Sequence, residues 1–191
     1  MSLETRTKDG ASFLTTIQGV ELLINSVVAL IAPELYTLGT AAVFALQDGE
    51  SIRAPHENVH LWSSVYSGIE VIANRITPEH RDPRAAAPVY DLLVSAGTHT
   101  SAHLSLEDIK TKLSYKPCTI VTLCGKVLSH KVDDWEGGER LCIAHFIRDA
   151  VHNELELPRP TWVSNQPYMQ MMEGGFAERQ KFKSEWDHVL M

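Results

Sequence analysis

From Ser12 to Ile31 the apolar residues recur at Ile17, Val20, Leu23, Ile24, Val27, Leu30 and Ile31, in steps of three and four. That period gathers them on one side of a helix. Pro33 closes it and can open a second helix, because proline at a first turn gives up only an amide that has no partner there. The second helix is expected from Pro33 to about Gln47, ended by Asp48-Gly49. Residues 1–50 therefore read as a helical buttress against one face of a sheet, after a polar lead over residues 1–10.

From Val65 the pattern changes to short runs rich in Val, Ile, Leu and Tyr. Val65–Ile76, Val89–Ala96, His99–Leu106, Leu113–Tyr115, Thr119–Cys124, Lys126–Val132 and Arg140–Phe146 are expected as strands, and Thr77-Pro78 interrupts the pattern after the first. Gly97, Pro117, Gly125 and Gly137-Gly138 supply the turns. Pro83 and Pro88 bracket Ala85–Ala87, expected as a short loop. Many short strands with regular turns predict an α+β protein with a closed or double-sheet β core over residues 51–150. Ligand sites form readily in the mouths of such barrels. Beyond Asp149 irregular chain is expected, then a last helix in Glu173–Met191, so that residues 151–191 form an extension packing on the core of a single domain.

At 191 residues the chain can bury a full core. Its net charge of −7 argues against gripping nucleic acid through bulk charge. The charge is uneven, though: residues 74–148 hold ten Lys/Arg and nine Asp/Glu, so the acidic excess sits at the two ends. Cys118, Cys124 and Cys142 are odd in number and lack C-x-x-C spacing. They read as reduced thiols of an intracellular protein. No signal peptide is expected, and the apolar run Val20–Ala32, with Glu21 and Asn25 inside it, reads as too short to span a bilayer.

The chemistry concentrates between Ile76 and Phe146. His80 and Asp82 are two apart, so on a strand both leave the same face. His130 is far enough along to return on another strand, and Arg140 opens the next segment. Two histidines and one carboxylate on one side of an Fe(II) ion leave the opposite positions open, the arrangement of non-haem iron oxygenases. Arg140 suits a bidentate pair with the far carboxylate of 2-oxoglutarate; the plainer reading is a salt bridge with Glu139 or Asp134. By alternation Arg140, Cys142 and Ala144 share a face, and the two small residues leave room beside the arginine.

Four segments, Asn74-Arg-Ile-Thr-Pro-Glu-His-Arg-Asp82, Tyr90-Asp-Leu-Leu-Val-Ser-Ala-Gly97, Gly125-Lys-Val-Leu-Ser-His130 and Trp135-Glu-Gly-Gly-Glu-Arg-Leu-Cys-Ile-Ala-His-Phe146, resemble the TET/JBP family of Fe(II)/2-oxoglutarate dioxygenases, in particular its short fungal members. The resemblance covers roughly residues 60–165. It implies a double-stranded β-helix (jelly roll, cupin-like), Fe(II) held by His80, Asp82 and His130, and 2-oxoglutarate held by Arg140, with Arg75 as a second basic residue for it. It also implies O2 as oxidant and methyl groups of DNA bases as substrate, 5-methylcytosine or N6-methyladenine, with the base flipped out of a duplex to reach the iron. The same iron chemistry on methylated RNA or a small metabolite, and an inactive nucleic-acid-binding module, are the alternatives. Arg148 shares the parity of Arg140 and is a candidate for substrate contact, with His145 and Asp149 beside it. His145 has the opposite parity and faces away from the site unless a bulge intervenes. Asn74 and Asp91 fall in the shared motifs without a role that sequence can give them. His56, His99 and His103 read as surface or core histidines, and Trp62, Trp135 and Trp162 as packing anchors. A DNA substrate implies a nuclear location, although no Lys/Arg-rich import run is present.

Overall fold

A computed structural model describes residues 7–48 and 58–162 of the chain. The contacts below belong to the compact unit that ends at Pro160. Helix α1 spans Lys8–Ile31 and α2 spans Pro33–Gln47. Thr7 caps α1 by accepting from the Gly10 amide at 3.0 Å. Pro33 stands at the first turn of α2, where its missing amide costs nothing. Eight strands follow: β1 Gly68–Ala73, β2 Thr77–His80, β3 Asp91–Gly97, β4 Ser101–Leu106, β5 Thr111–Ser114, β6 Ile120–Leu123, β7 His130–Glu136 and β8 Arg140–Phe146. A short helix α3, Asp149–Glu154, closes the described core.

The strands make two four-stranded sheets, β1-β8-β3-β6 and β2-β7-β4-β5, and all their pairings are antiparallel. The β-fold is a double-stranded β-helix. Alternation along β3 and β8 assigns two separate cores. Leu92 and Ile147 pack with Ile24, Val28, Leu35 and Tyr66 in the layer between sheet and helices. Cys142, Leu104, Tyr115 and Val132 pack between the sheets, with Leu93 and Ala144 against them. Each fully buried aliphatic side chain contributes about 1.5–3 kcal/mol.

Helix α1 is also tied to the sheet by polar contacts. Glu21 Oε1 meets His145 Nε2 at 2.9 Å with both side chains buried. Asn25 donates to the Ser63 carbonyl at 2.7 Å and accepts from the Val65 amide at 3.1 Å. By length and composition α1 can cross a membrane. The apolar run expected to be too short for that is part of a 24-residue helix, because the helix starts well before Val20. Among its residues Leu14, Glu21, Ile24 and Val28 are buried in the fold.

Several expectations are corrected. The expected strand Val65–Ile76 is confined to β1, which ends where Asn74 turns to a positive φ of 48°. Thr77-Pro78 does not break the sheet. It opens β2, an edge strand with an irregular register to β7, where a missing amide is tolerated. The segment Lys126–Ser129 is a turn instead of a strand, because the Val127 and Leu128 amides both fold back onto the Cys124 carbonyl at 2.9 Å. Irregular chain was expected directly after Asp149, where α3 stands instead. His56, the Met169–Met172 cluster and the expected last helix lie outside the described residues.

Candidate active site

His80 ends β2 and His130 opens β7, and the two are paired directly across that ladder. Their ring centroids are 4.2 Å apart. Asp82, two residues past His80, reaches between them: Oδ1 lies 3.7 Å from His80 Nε2 and Oδ2 3.6 Å from His130 Nε2. One ligand atom from each of the three falls within 4.8 Å of the others, the only such cluster of three among the described residues.

The rings are held alike. His80 Nδ1 pairs with the Pro78 carbonyl at 2.9 Å and His130 Nδ1 with the Leu128 carbonyl at 3.0 Å, each two residues upstream. A carbonyl fixes Nδ1 as the protonated nitrogen, which leaves the Nε2 lone pair free for a metal. His130 is buried, and burial holds its pKa below the ordinary histidine value, which also favours the neutral ligand form. The donor set therefore fits Fe(II).

The turn that delivers His130 is fastened to the segment that delivers Asp82. The Asp82 amide donates to the Gly125 carbonyl at 2.9 Å. Ser129 Oγ donates to Glu79 at 2.7 Å. Asp108 accepts from the Ser129 amide at 2.5 Å and from Arg81 at 2.6 Å. Gly125 sits so close to the site that an added Cβ would lie 2.4 Å from Asp82 Oδ2 and 2.5 Å from Asp91 Oδ2.

A cavity of about 340 Å³ opens on this cluster, within the size range of small-molecule sites. Arg140 lies in its wall and is 1% exposed. Its guanidinium stacks 5.5 Å over Tyr115 and donates through Nη1 to the Arg75 carbonyl at 3.1 Å. Its Nε has no hydrogen-bond partner, and among the described residues it makes no ion pair. The expected alternative, a salt bridge to Glu139 or Asp134, is therefore not made. A buried cation with unused donors is costly until an anion reaches it, so the site fits a dicarboxylate such as 2-oxoglutarate.

Arg140, Cys142, Ala144 and Phe146 of β8 line the cavity, as does Arg148 just past the strand, and His145 and Ile147 border it as well. Asn74 gains a role that sequence did not offer. Its side chain accepts from the Arg140 amide at 2.9 Å and its amide donates to the Arg140 carbonyl at 2.8 Å. Asparagine tolerates the left-handed backbone this clamp needs. Asp91 is buried in the cavity wall with both carboxyl oxygens lacking a hydrogen-bond partner. Burial, and then the neighbouring Asp82 charge, push its pKa up to about 7.

The remaining candidates are placed differently. Arg75 lines the cavity, but its side chain is 60% exposed and only loosely paired with Glu70 at 3.9 Å; its carbonyl, not its guanidinium, meets Arg140. Arg148 stands at the rim, its guanidinium 5.4 Å over the Phe146 ring. The side chain of His145 is occupied by Glu21 through Nε2 and by the Leu92 carbonyl through Nδ1. Asp149 is paired with Arg159 at 2.8 Å. His99 is buried against the Tyr115 carbonyl at 3.0 Å, and Trp62 donates to the Tyr66 carbonyl at 2.9 Å, both as structural residues.

The sequence model of Tet_JBP, the oxygenase domain of the 2OGFeDO superfamily, matches residues 2–149. The chain belongs to this family. It is thus an oxygenase domain of the 2OGFeDO superfamily. Its Tet_JBP fold is similar to that of NgTET1, solved in complex with 5mC DNA, at TM-score 0.58 and 14% identity, over 90% of this chain and 63% of that one. The chain therefore spans less than two thirds of the length of that relative. An RmlC-like cupin protein from Desulfovibrio desulfuricans is matched at TM-score 0.29 and 8% identity, over 40% of this chain and 71% of that one. No curated protein matches.

Proposed function

We propose that this Tet_JBP protein oxidises methyl groups on nucleic-acid bases, 5-methylcytosine or N6-methyladenine in DNA, with His80, Asp82 and His130 holding Fe(II) and Arg140 holding 2-oxoglutarate. The observation that carries this reading is the placement of the His–Asp–His cluster and a buried, unpaired arginine on one cavity. Bound Fe(II), with O2 and 2-oxoglutarate, supplies the oxidising power to insert oxygen into a C–H bond.

The protein's own groups bind and orient. Arg140 fixes the far carboxylate, and the Asn74 clamp and the Tyr115 ring fix Arg140. His80 and His130 offer Nε2 because their Nδ1 protons are engaged. Leu93, Leu104 and Val132 line the inner wall and keep it apolar. Arg75, Arg84 and Arg148 line its outer part, where they suit the phosphates flanking a flipped base. This local basic rim makes nucleic acid compatible with a net charge of −7. The 5mC DNA held by the structurally similar NgTET1 supports the same substrate class.

The test is succinate release from 2-oxoglutarate with Fe(II), with and without methylated oligonucleotides, together with mass analysis of the bases. Coupling of the two, abolished by His80→Ala, is expected. Succinate release that no methylated DNA or RNA increases points to a small-molecule substrate instead.

A further inference from the structure

Helix α1 packs Leu14, Glu21, Ile24 and Val28 into the fold. Its opposite side is bare. Phe13, Val20, Leu22, Leu23, Leu30 and Ile31 are exposed, the three leucines by 60% or more. A helix on the surface of a soluble protein ordinarily turns charged residues outward. Between Ser12 and Ile31 the one charged residue is Glu21, and it is buried against His145. Hydroxyls on this side are satisfied within the helix. Those of Thr15, Thr16 and Ser26 donate to carbonyls four residues back at 2.8–3.0 Å, so covering them strands no donor.

The exposed positions are ordered. Ser12, Thr16, Gly19, Leu23, Ser26 and Leu30 are all exposed and follow in steps of four and three. That is a heptad seam, the period by which one helix lies along another. One row, Ser12, Gly19 and Ser26, is small; the other, Thr16, Leu23 and Leu30, is larger. The residues flanking the seam are Phe13, Val20 and Val27 on one side and Thr15, Leu22 and Ala29 on the other, and none carries a charge.

The seam fits itself. In an antiparallel pair of α1 helices centred at Glu21, Ser12 stands opposite the partner's Leu30 and Gly19 opposite the partner's Leu23. Thr16 stands opposite the partner's Ser26, and the two-fold repeats the set in reverse. Every leucine of the seam then meets a small residue, which lets the layers interdigitate. Gly19 offers the space: outside its own helix backbone and chain neighbours, nothing of this chain lies within 4 Å of a Cβ placed there. A parallel pair would set glycine on glycine and leucine on leucine, a gap beside a bulge.

The extent is also right. The six exposed apolar residues leave roughly 600 Å² uncovered, at the top of what a monomer shows in one patch and near the ~800 Å² each partner gives to a stable complex. A membrane surface is served less well. Helices that lie on one carry Lys and Arg for the headgroups, and this face has neither. Nor does lipid call for a small residue every seven positions.

We propose that the outer face of α1 is a self-association surface, on which two copies of this chain form a two-fold antiparallel dimer with Leu23 of each seated over Gly19 of the other.

Sedimentation velocity of the full chain over a concentration series tests this, with circular dichroism to check folding. The unaltered protein is expected at twice the chain mass. Gly19→Leu fills the space that the partner's Leu23 needs, while the single copy has room for it and gains helix propensity. It is expected to weaken dimerisation by at least roughly tenfold. Leu23→Glu, also at an exposed position, is expected to give a folded monomer. A face that merely sticks to lipid or to any apolar surface gains from Gly19→Leu, so the sign of that change decides. A dimer that Gly19→Leu leaves intact or tightens overturns the proposal. So does an unaltered protein that stays monomeric at every concentration. In that monomer, capture by neutral phosphatidylcholine vesicles would assign the face to a membrane. Slow alkylation of Leu23→Cys without vesicles would assign it to a segment of this chain outside the described residues.

Discussion

His80 and His130 face each other across the β2–β7 ladder, and each is oriented by the carbonyl two residues before it. The repeated arrangement makes the pair a two-jawed clamp with Asp82 between the jaws. His80→Ala or His130→Ala is therefore expected to weaken Fe(II) binding by about a hundredfold or more and to abolish turnover. In the unaltered protein a redox-inert divalent metal should raise the thermal midpoint by mass action, and a chelator should reverse the rise. Calorimetric titration and thermal scans check both, and equal metal affinity in the alanine variants would remove the clamp from the account.

Arg140→Lys keeps the charge but gives up the planar fork and the stacking on Tyr115. The KM for 2-oxoglutarate is expected to rise by roughly tenfold or more, with the affinity for Fe(II) little changed. Steady-state kinetics against 2-oxoglutarate concentration measures it.

Gly125→Ala places a methyl against Asp82 and Asp91 at once. One of the two carboxyls has to move, so Fe(II) affinity is expected to fall by at least roughly tenfold while the fold persists. Metal titration alongside circular dichroism separates the two effects.

Glu21 and His145 are 124 positions apart and meet in the layer between helix and sheet. Glu21→Ala leaves a buried imidazole without its partner and is expected to cost about 3–5 kcal/mol in urea unfolding. A double variant that also removes His145 should cost less than the sum of the single changes.

In metal-free protein Asp91 gives stability a pH dependence of known sign. Its folded pKa, near 7, lies above the ordinary 3.8. The folded state therefore holds the proton more tightly than the unfolded chain across that window. Stability is expected to fall as pH rises from about 4 to about 7, by on the order of a few kcal/mol, and to level off above. Asp91→Asn should flatten this slope in denaturant titrations done at a series of pH values.

Much of this arrangement was legible in the sequence because it follows the chain's two periods. Steps of three and four gave α1, with its start placed at Ser12 instead of Lys8, Pro33 and Asp48-Gly49 gave the ends of α2, and the alternation from Arg140 put Arg140, Cys142 and Ala144 on the cavity. The same alternation set the His145 ring against Glu21, although the residue still borders the cavity. What stayed hidden depended on partners distant in sequence. The turn at Lys126–Ser129 looked like a strand because Val127 and Leu128 are apolar, and only the return of their amides to Cys124 shows otherwise. Asn74 holds Arg140 from 66 positions away. Asp91 fell in a shared motif, and only the fold shows that it lies beside Asp82 across Gly125. Its acidic type within an apolar strand was the one signal available.

The central claim is an iron-dependent oxidation of methylated bases. It is tested most directly by incubating the protein with Fe(II), 2-oxoglutarate, O2 and oligonucleotides carrying 5-methylcytosine or N6-methyladenine, then measuring succinate and the bases by mass spectrometry, with His80→Ala as the blank. The account predicts succinate release stimulated by one of these oligonucleotides, together with a base that has gained one oxygen atom or lost its methyl. Metal-loaded protein that releases no succinate beyond the blank, with or without DNA, would contradict it.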